Sequence, residues 1–315
     1  MKTISFFCVS PDPATGFGAA GASIVDTLTK AGYRVIWNDP DNADIQLNWC
    51  HPLYATMSKD IPNIIYFPWE SSEPHPGWKN VLRRAESICV TSYQLQNWVR
   101  EWGFDSVLVP HGIDDIWKPE PRLTHPFTFL DVSQPRRRVN SQLTYDAFKA
   151  AFGDDENFRL VMKAKGQTIV KYHKGSSNVK TITETLPISE LVGLYLNSHS
   201  LVHLSFAEGF SLAPFQMIAT GGLTITPAET VPYRDYLIPS TNLYYDDYVE
   251  SDMFEHPGKI LRSATLDEVV AAMRTTVLDY ESLAQDATLA GKALREDYQW
   301  SEVIKPLVAE IERLT

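Results

Sequence analysis

Cysteine is scarce in this chain: three in 315 residues, at Cys8, Cys50 and Cys89. Their wide separation leaves no C-x-x-C pair and no disulfide frame, so a disulfide-stapled scaffold is excluded. All three are expected as small apolar core residues in a reducing compartment. Long apolar runs are also missing, so no segment reads as a membrane span and no stable membrane insertion is expected. The N-terminus shows no basic segment followed by an apolar core, which sets aside a secretion signal and points to the cytoplasm. Positive charge is in deficit. Lys and Arg number 28 against 39 Asp and Glu, a formal net charge of −11, which argues against a whole surface built for nucleic acid. A G-x-S-x-G nucleophile elbow and an H-E-x-x-H zinc helix are absent as well.

The charge that is present is uneven. Residues 118–180 carry 12 basic and 6 acidic side chains, while the segments on either side are both acidic. A solvated basic face is one reading. A local phosphate site is the other.

Hydrophobic patterning gives alternating strands and helices. In the first third the strand candidates are "TISFFCV", "YRVIW", "DIQLNW", "NIIYF", "SICVTS" and "SVLVP". Helical spacing lies between them in "AAGASIVDTLTKAG", "GWKNVLRRA" and "YQLQNWVREWG". A loop, "HGIDDIWKPEPRLTHP", carries Pro119, Pro121 and Pro126 and reads as a linker. The alternation then restarts with "FTFLDVS", "FRLVMKA", "SLVHLSF" and "LTITP" as strands, and the tail from Leu266 is mostly helical. Such alternation implies parallel sheets covered on both faces. The fold expected is α/β, with two Rossmann-like domains. Residues 1–117 form the first domain and 118–297 the second, with 298–315 as a C-terminal helix crossing back to the first. Seven of the eight tryptophans lie in the first half. Most are expected as packing, with a smaller share available to stack on an acceptor.

"SPDPATGFGAAGAS" contains Gly16, Gly18 and Gly21, which spells G-x-G-x-x-G after a strand, with Asp39 further on. In a dinucleotide-binding fingerprint the first glycine comes at the tight strand-to-helix turn. Here Ser10 to Thr15 intervene, and Asp39 sits in the polar loop "NDPDNAD". The match to an NAD-dependent oxidoreductase is therefore off-pattern. A glycine-rich loop at a helix start can still approach a pyrophosphate of any kind, or can serve backbone dihedrals alone. The D-x-D in "NDPDNAD" reads as a solvated loop rather than a divalent-ion site.

The most specific stretch is "SFAEGFSLAPFQMIATGGLTITP", residues 205–227. It reads strand, tight loop, helix, glycine cap, strand. Glu208 ends the first strand, Gly209 lets the backbone approach a ligand, and Phe210, Ser211 and Leu212 present N–H groups at the helix start. A helix start aimed at a crevice is a phosphate site.

This stretch resembles the signature of the retaining GT-B glycosyltransferases, the large group that includes sucrose and glycogen synthases. Their motif is E-G-F-G-L-P-x-x-E-A-M-A-x-G-x-P-V-I. Glu208 stands at its first Glu and Gln216 at its second, where the family carboxylate holds the nucleotide ribose. Gln keeps an acceptor and adds a donor, so ribose contact can survive without the charge. The likeness runs over nearly the whole chain. "VLVPHGIDDIWKP" resembles the exit from the first domain. "FLDVSQPRRRVNSQLTYDAF" resembles the segment where a basic pair grips the donor diphosphate, which places Arg136, Arg137 and Arg138 there without a unique alignment. "FRLVMKAKG" offers Lys163 or Lys165. "ITETLPISELVGLY" matches the base-binding loop, and "TGFG" (Gly16, Phe17, Gly18) the loop reaching the donor from the first domain. In "YFPWESSEPHPGW", Glu70 stands roughly where many relatives carry a His near the acceptor.

The resemblance implies a GT-B fold with two domains facing across a cleft. It also implies transfer of a sugar from a nucleoside diphosphate sugar, UDP-sugar or GDP-sugar, to an acceptor hydroxyl. Retention at the anomeric carbon is expected, with no metal and no further cofactor. Glu208 and Glu70 are the catalytic candidates, and Trp69 and His111 the acceptor-side candidates. Gly16, Phe17, Gly18, Arg136 to Arg138, Lys163, Gly209 to Leu212 and Gln216 are expected on the donor. A soluble acceptor is expected, a glycan, protein or small molecule, with a modified DNA base as the minority case. A catalytically weak sugar-nucleotide binder is the alternative that Gln216 motivates, and an NAD-dependent oxidoreductase a more distant one.

Overall fold

The computed structural model describes residues 1–133, 138–164, 176–230, 232–236, 242–251 and 258–315. Two parallel sheets organise them. The first contains β1 (Thr3–Cys8), β2 (Arg34–Trp37), β3 (Ile45–Trp49), β4 (Asn63–Phe67), β5 (Ser87–Val90) and β6 (Val107–Leu108), in the order β2-β1-β3-β4-β5-β6. Strands β3 and β4 are buried along their whole length, while the edge strand β2 is exposed at both ends. Continuous apolar runs fall on strands covered on both faces, as expected for parallel sheets. Helices α1 (Gly16–Lys30), α2 (Trp78–Leu82) and α3 (Tyr93–Glu101) connect them. Ser92 caps α3 by accepting from Leu95 N at 3.2 Å, which supplies one of the partners a helix start lacks.

The second sheet holds β7 (Phe127–Ser133), β8 (Phe158–Ala164), β9 (Val179–Ile182), β10 (Ser200–Val202) and β11 (Leu223–Ile225), in the order β11-β10-β7-β8-β9. Its connections are α4 (Ser141–Phe152), α5 (Ile188–Leu196) and α6 (Leu212–Ala219). An antiparallel pair follows, β12 (Tyr248–Ser251) and β13 (Gly258–Leu261). The tail is helical, with α7 (Leu266–Leu278), α8 (Tyr280–Asp297), α9 (Trp300–Val303) and α10 (Lys305–Leu314). Thr265 and Glu268 form a reciprocal capping box at α7.

The last two helices return to the first sheet. Ile304, Leu307 and Ile311 are buried in one cluster with Ile4, Phe6, Ile24 and Leu47. Tyr33 donates to Glu312, which also pairs with Lys2 at 2.6 Å. All three cysteines are buried without disulfides, as composition requires. Six of the seven early tryptophans are core residues, whereas Trp37 is 53% exposed. No helix among the described residues is long and apolar enough to cross a membrane.

Candidate functional site

In an open parallel sheet a ligand crevice opens at the carboxyl ends of the strands where the strand order reverses. In the second sheet that point lies between β7 and β10. The segment after β7 brings Arg138, and the loop after β10 brings Glu208. Their side chains meet: Arg138 Nη1 donates to the Glu208 carboxylate, to Ala207 O at 2.6 Å and to Ser205 Oγ at 3.1 Å. The Arg138 carbonyl also accepts from Phe206 N at 3.2 Å. Glu208 is 8% exposed. Burial alone would raise its pKa, but the adjacent Arg138 charge and the His203 ring outweigh it and hold the carboxyl below its usual range. Glu208 is therefore an anion in the folded protein at neutral pH.

In the first sheet the order reverses between β1 and β3. The loop after β1 leads into α1 at Gly16. The N-cap Thr15 accepts from Gly18 N at 3.0 Å. The three glycines of the motif have different reasons. A Cβ on Gly18 would fall 1.9 Å from Asp12 O, and one on Gly21 would press on Cys8 and Trp49 at 3.3 Å. Backbone contact requires glycine at position 18, whereas at position 21 the Cys8 and Trp49 side chains would have to give by a few tenths of an ångström. A Cβ on Gly16 would meet nothing within 4 Å. Phe17 lies against Trp49 and His51, so the loops after β1 and β3 touch at the reversal. Asp39 is not at a strand end. It opens a short turn, and its carboxylate accepts from Asn42 Nδ2 at 3.0 Å. No cluster of three or more metal-ligating side chains occurs among the described residues.

The carboxyl edges of the two sheets meet. Glu70, on the loop after β4, lies 3.7 Å from Arg138 Nη2. Thr91 Oγ1 donates to Gly209 O at 2.7 Å. A Cβ on Gly209 would stand 2.5 Å from Pro68 Cβ and 2.9 Å from Trp69 N. Gly209 is thus a close-approach glycine, and what it approaches is the first domain's backbone.

The start of α6 is unusual. Ser211 has φ 64°, ψ 94°, a conformation that costs a non-glycine residue about 1 kcal/mol or more. Tyr236 fixes this turn by donating to Phe210 O at 2.8 Å and Ser211 O at 2.9 Å. Pro214 falls in the first helical turn, where its missing N–H would have had no partner. Gln216 is half-buried one turn further on.

The remaining expected residues are distributed as follows. Trp69 is buried in an aromatic cluster against Trp78, with its Nε1 donating to Glu73 O at 2.7 Å. It supports the loop that carries Glu70. His111 is buried between Trp49, Phe210 and Trp300, and burial pushes its pKa down to about 3, so the ring is neutral. Lys163 lies on β8 beside Val132. Arg136, Arg137 and Lys165 lie outside the described residues.

The basic segment expected as a phosphate grip is partly structural. Arg122 donates to the carbonyls of Ser198, Thr220 and Gly221. Lys149 pairs with Asp154 at 2.5 Å. Arg138 is taken up by Glu208. His203 was not singled out from sequence. It sits 5% exposed just past β10, with Nε2 3.4 Å from Glu208 Oε1 and 3.2 Å from Ser211 Oγ.

No family model matches the chain, and no curated protein matches it. Solved structures do. A sucrose-phosphate synthase from Thermosynechococcus elongatus superposes with a TM-score of 0.76 at 13% identity, covering 100% of this chain and 99% of that one. HepE from Anabaena, solved with UDP-glucose, gives 0.74 at 12% identity, with 100% of both chains covered. The lipopolysaccharide outer core galactosyltransferase WaaB gives 0.66 at 12% identity, covering 99% of each chain. The likeness extends over both sheets and the returning helices. The chain has the GT-B fold, with two Rossmann-like domains.

Proposed function

We propose that this chain is a retaining glycosyltransferase that moves a sugar from a nucleoside diphosphate sugar to an acceptor hydroxyl without a metal. The observation that carries the reading is the buried Arg138–Glu208 pair at the strand-order reversal of the second sheet, with Glu70 of the first domain against the same guanidinium. Fold likeness to HepE, which was solved with UDP-glucose, supports a nucleotide-sugar donor.

In this reading the diphosphate lies at the start of α6. The glycosidic C–O bond breaks and its electron pair goes to the departing diphosphate. The N–H groups of Ser211 and Leu212 stabilise that charge. The acceptor oxygen attacks the anomeric carbon from the side the diphosphate leaves, and its proton passes to the leaving oxygen. Glu208 binds sugar hydroxyls and supports the positive charge that builds on the ring. Glu70, anchored by Arg138, orients the acceptor. The contact between the two domains excludes water that would hydrolyse the donor.

The first experiment is thermal unfolding with UDP, GDP, ADP and NAD in turn. A ligand at a hundred times its Kd adds about 2.7 kcal/mol. Stabilisation by one nucleoside diphosphate and not by NAD is expected, whereas stabilisation by NAD alone would return the glycine motif to an oxidoreductase. Hydrolysis of the matching sugar donor is then compared for the wild type and Glu208→Gln, with most turnover expected to be lost. Gln216 favours a second reading, a sugar-nucleotide binder with little turnover. Tight donor binding with no hydrolysis or transfer would select it.

A further inference from the structure

The hydrogen-bond inventory around Ser211 assigns a role to its side chain that its place at a helix start does not. His203 Nε2 faces an oxygen of ionised Glu208 at 3.4 Å. A carboxylate only accepts, so Nε2 carries a proton. The same nitrogen lies 3.2 Å from Ser211 Oγ, and Tyr233 OH donates to that oxygen at 3.5 Å. A serine hydroxyl has two acceptor sites and one proton to give. The single Nε2 proton is shared between Glu208 and Ser211, and a protonated Nε2 cannot accept. Tyr233 donates as well, so neither neighbour takes the serine proton, which is left for a third group.

The backbone bears on the same point. Ser211 holds φ 64°, where glycine would sit without strain and serine does not. The side chain is half-buried at the cleft, whereas His203 is buried and its Nδ1 has no partner among the described residues. Among the described residues the hydrogen-bonding contacts of the ring run through Nε2, which faces Glu208 and Ser211.

We infer that the Ser211 hydroxyl donates a hydrogen bond to the phosphate oxygens of a bound nucleoside diphosphate, and that His203 is the positioning residue that orients it while holding Glu208. The inference rests on the transferase reading and adds a side-chain contact on the leaving group. Through His203 that contact is joined to the carboxylate proposed to face the sugar. His203 touches neither ligand.

The test separates phosphate contact from nucleoside contact. UDP, GDP and ADP are first titrated against the wild type by calorimetry. Binding of none of them overturns the transferase reading, and this inference with it. With the nucleotide that binds, UDP for instance, Kd is measured for UDP and for uridine in Ser211→Ala, Ser211→Gly, His203→Leu and His203→Gln. Losing a hydrogen bond to a charged oxygen weakens binding by about tenfold or more. Both serine variants are expected to lose that factor for UDP and nothing for uridine. Ser211→Gly is expected to unfold no lower than the wild type, which keeps folding out of the comparison. His203→Leu is expected to give the same selective loss, none in addition to Ser211→Ala, and His203→Gln to restore part of it through its amide N–H. Equal losses for UDP and uridine, or no loss for UDP, would overturn the inference and leave the transferase reading standing.

Discussion

Arg138 and Glu208 form a buried ion pair that ties the segment after β7 to the loop after β10, and Glu70 of the first domain completes the contact from the other side. With side chains 13% and 11% exposed, neither partner has water to fall back on. Removing one partner leaves the other charge buried and unpaired, at a cost of about 3–5 kcal/mol. Arg138→Met is expected to lose that much in urea unfolding at pH 7. Adding Glu208→Gln to it should recover part of the loss, because the more closely paired of the two carboxylates that faced Arg138 is then neutral. Little loss in the single variant would mean that water reaches the pair.

The same pair sets a pH dependence. The folded pKa of Glu208 lies below its ordinary value of 4.5. Its contribution to stability is therefore fully present above about pH 4.5 and is lost as pH falls through the folded value, because the unfolded chain binds the proton first. Between pH 5 and pH 3 the wild type should lose more stability than Glu208→Gln, measured by urea midpoints at each pH. Parallel curves would show that the carboxyl is not held down.

How much of this was legible in the sequence depends on what each element rests on. "NIIYF" and "SICV" announce themselves because strands covered on both faces are apolar throughout. Strand β9, "VKTI", is only partly buried, and β12 carries the mostly exposed "YVES", so neither shows a pattern that a window can detect. Strand β13 is held from outside by Ser72, whose Oγ accepts from Lys259 N at 2.9 Å. Glu208 and Gly209 were legible through their motif. Arg138 was legible only as one of three adjacent arginines, since its contacts with Ser205, Ala207 and Glu208 arise from the fold and leave no local signal. His203 was invisible, because a histidine closing an apolar strand carries no local signal. Its partners become its neighbours only when the turn through Glu208 and Ser211 folds back.

Leu307 is fully buried in the first domain's core although it belongs to the last helix. Leu307→Ala should cost about 2–5 kcal/mol, the range for emptying a packed leucine site. The loss should appear in fluorescence of Trp49, which shares that cluster. A cost below 1 kcal/mol would mean that α10 lies on the domain without completing its core.

Gly209 separates close approach from general intolerance of a methyl group. An added Cβ would stand 2.5 Å from Pro68 Cβ and 2.9 Å from Trp69 N, and backbone cannot yield as a side-chain tip does. Gly209→Ala is expected to cost about 1–3 kcal/mol and to weaken nucleotide binding by spreading the two domains. Gly193, inside α5, has nothing within 4 Å of its would-be Cβ. Gly193→Ala should instead gain up to about 1 kcal/mol from helix propensity. Equal effects in the two variants would discard the interdomain explanation for Gly209.

Gln216 tests the proposed donor site at the end proposed to hold the ribose. Its side chain is half-buried on α6, one turn beyond the helix start. A carboxylate in its place accepts from two adjacent hydroxyls with bonds roughly twice as strong as neutral ones. Gln216→Glu is therefore expected to tighten nucleoside diphosphate binding by about tenfold. The gain should vanish for a 2′,3′-dideoxynucleotide, which has no hydroxyls to offer, and should fade as pH drops through the carboxylate range. A gain that persists with the dideoxy ligand would place residue 216 away from the ribose. A loss of affinity for both ligands would mean that the added negative charge acts on the diphosphate, and that the neutral amide is what this crevice requires.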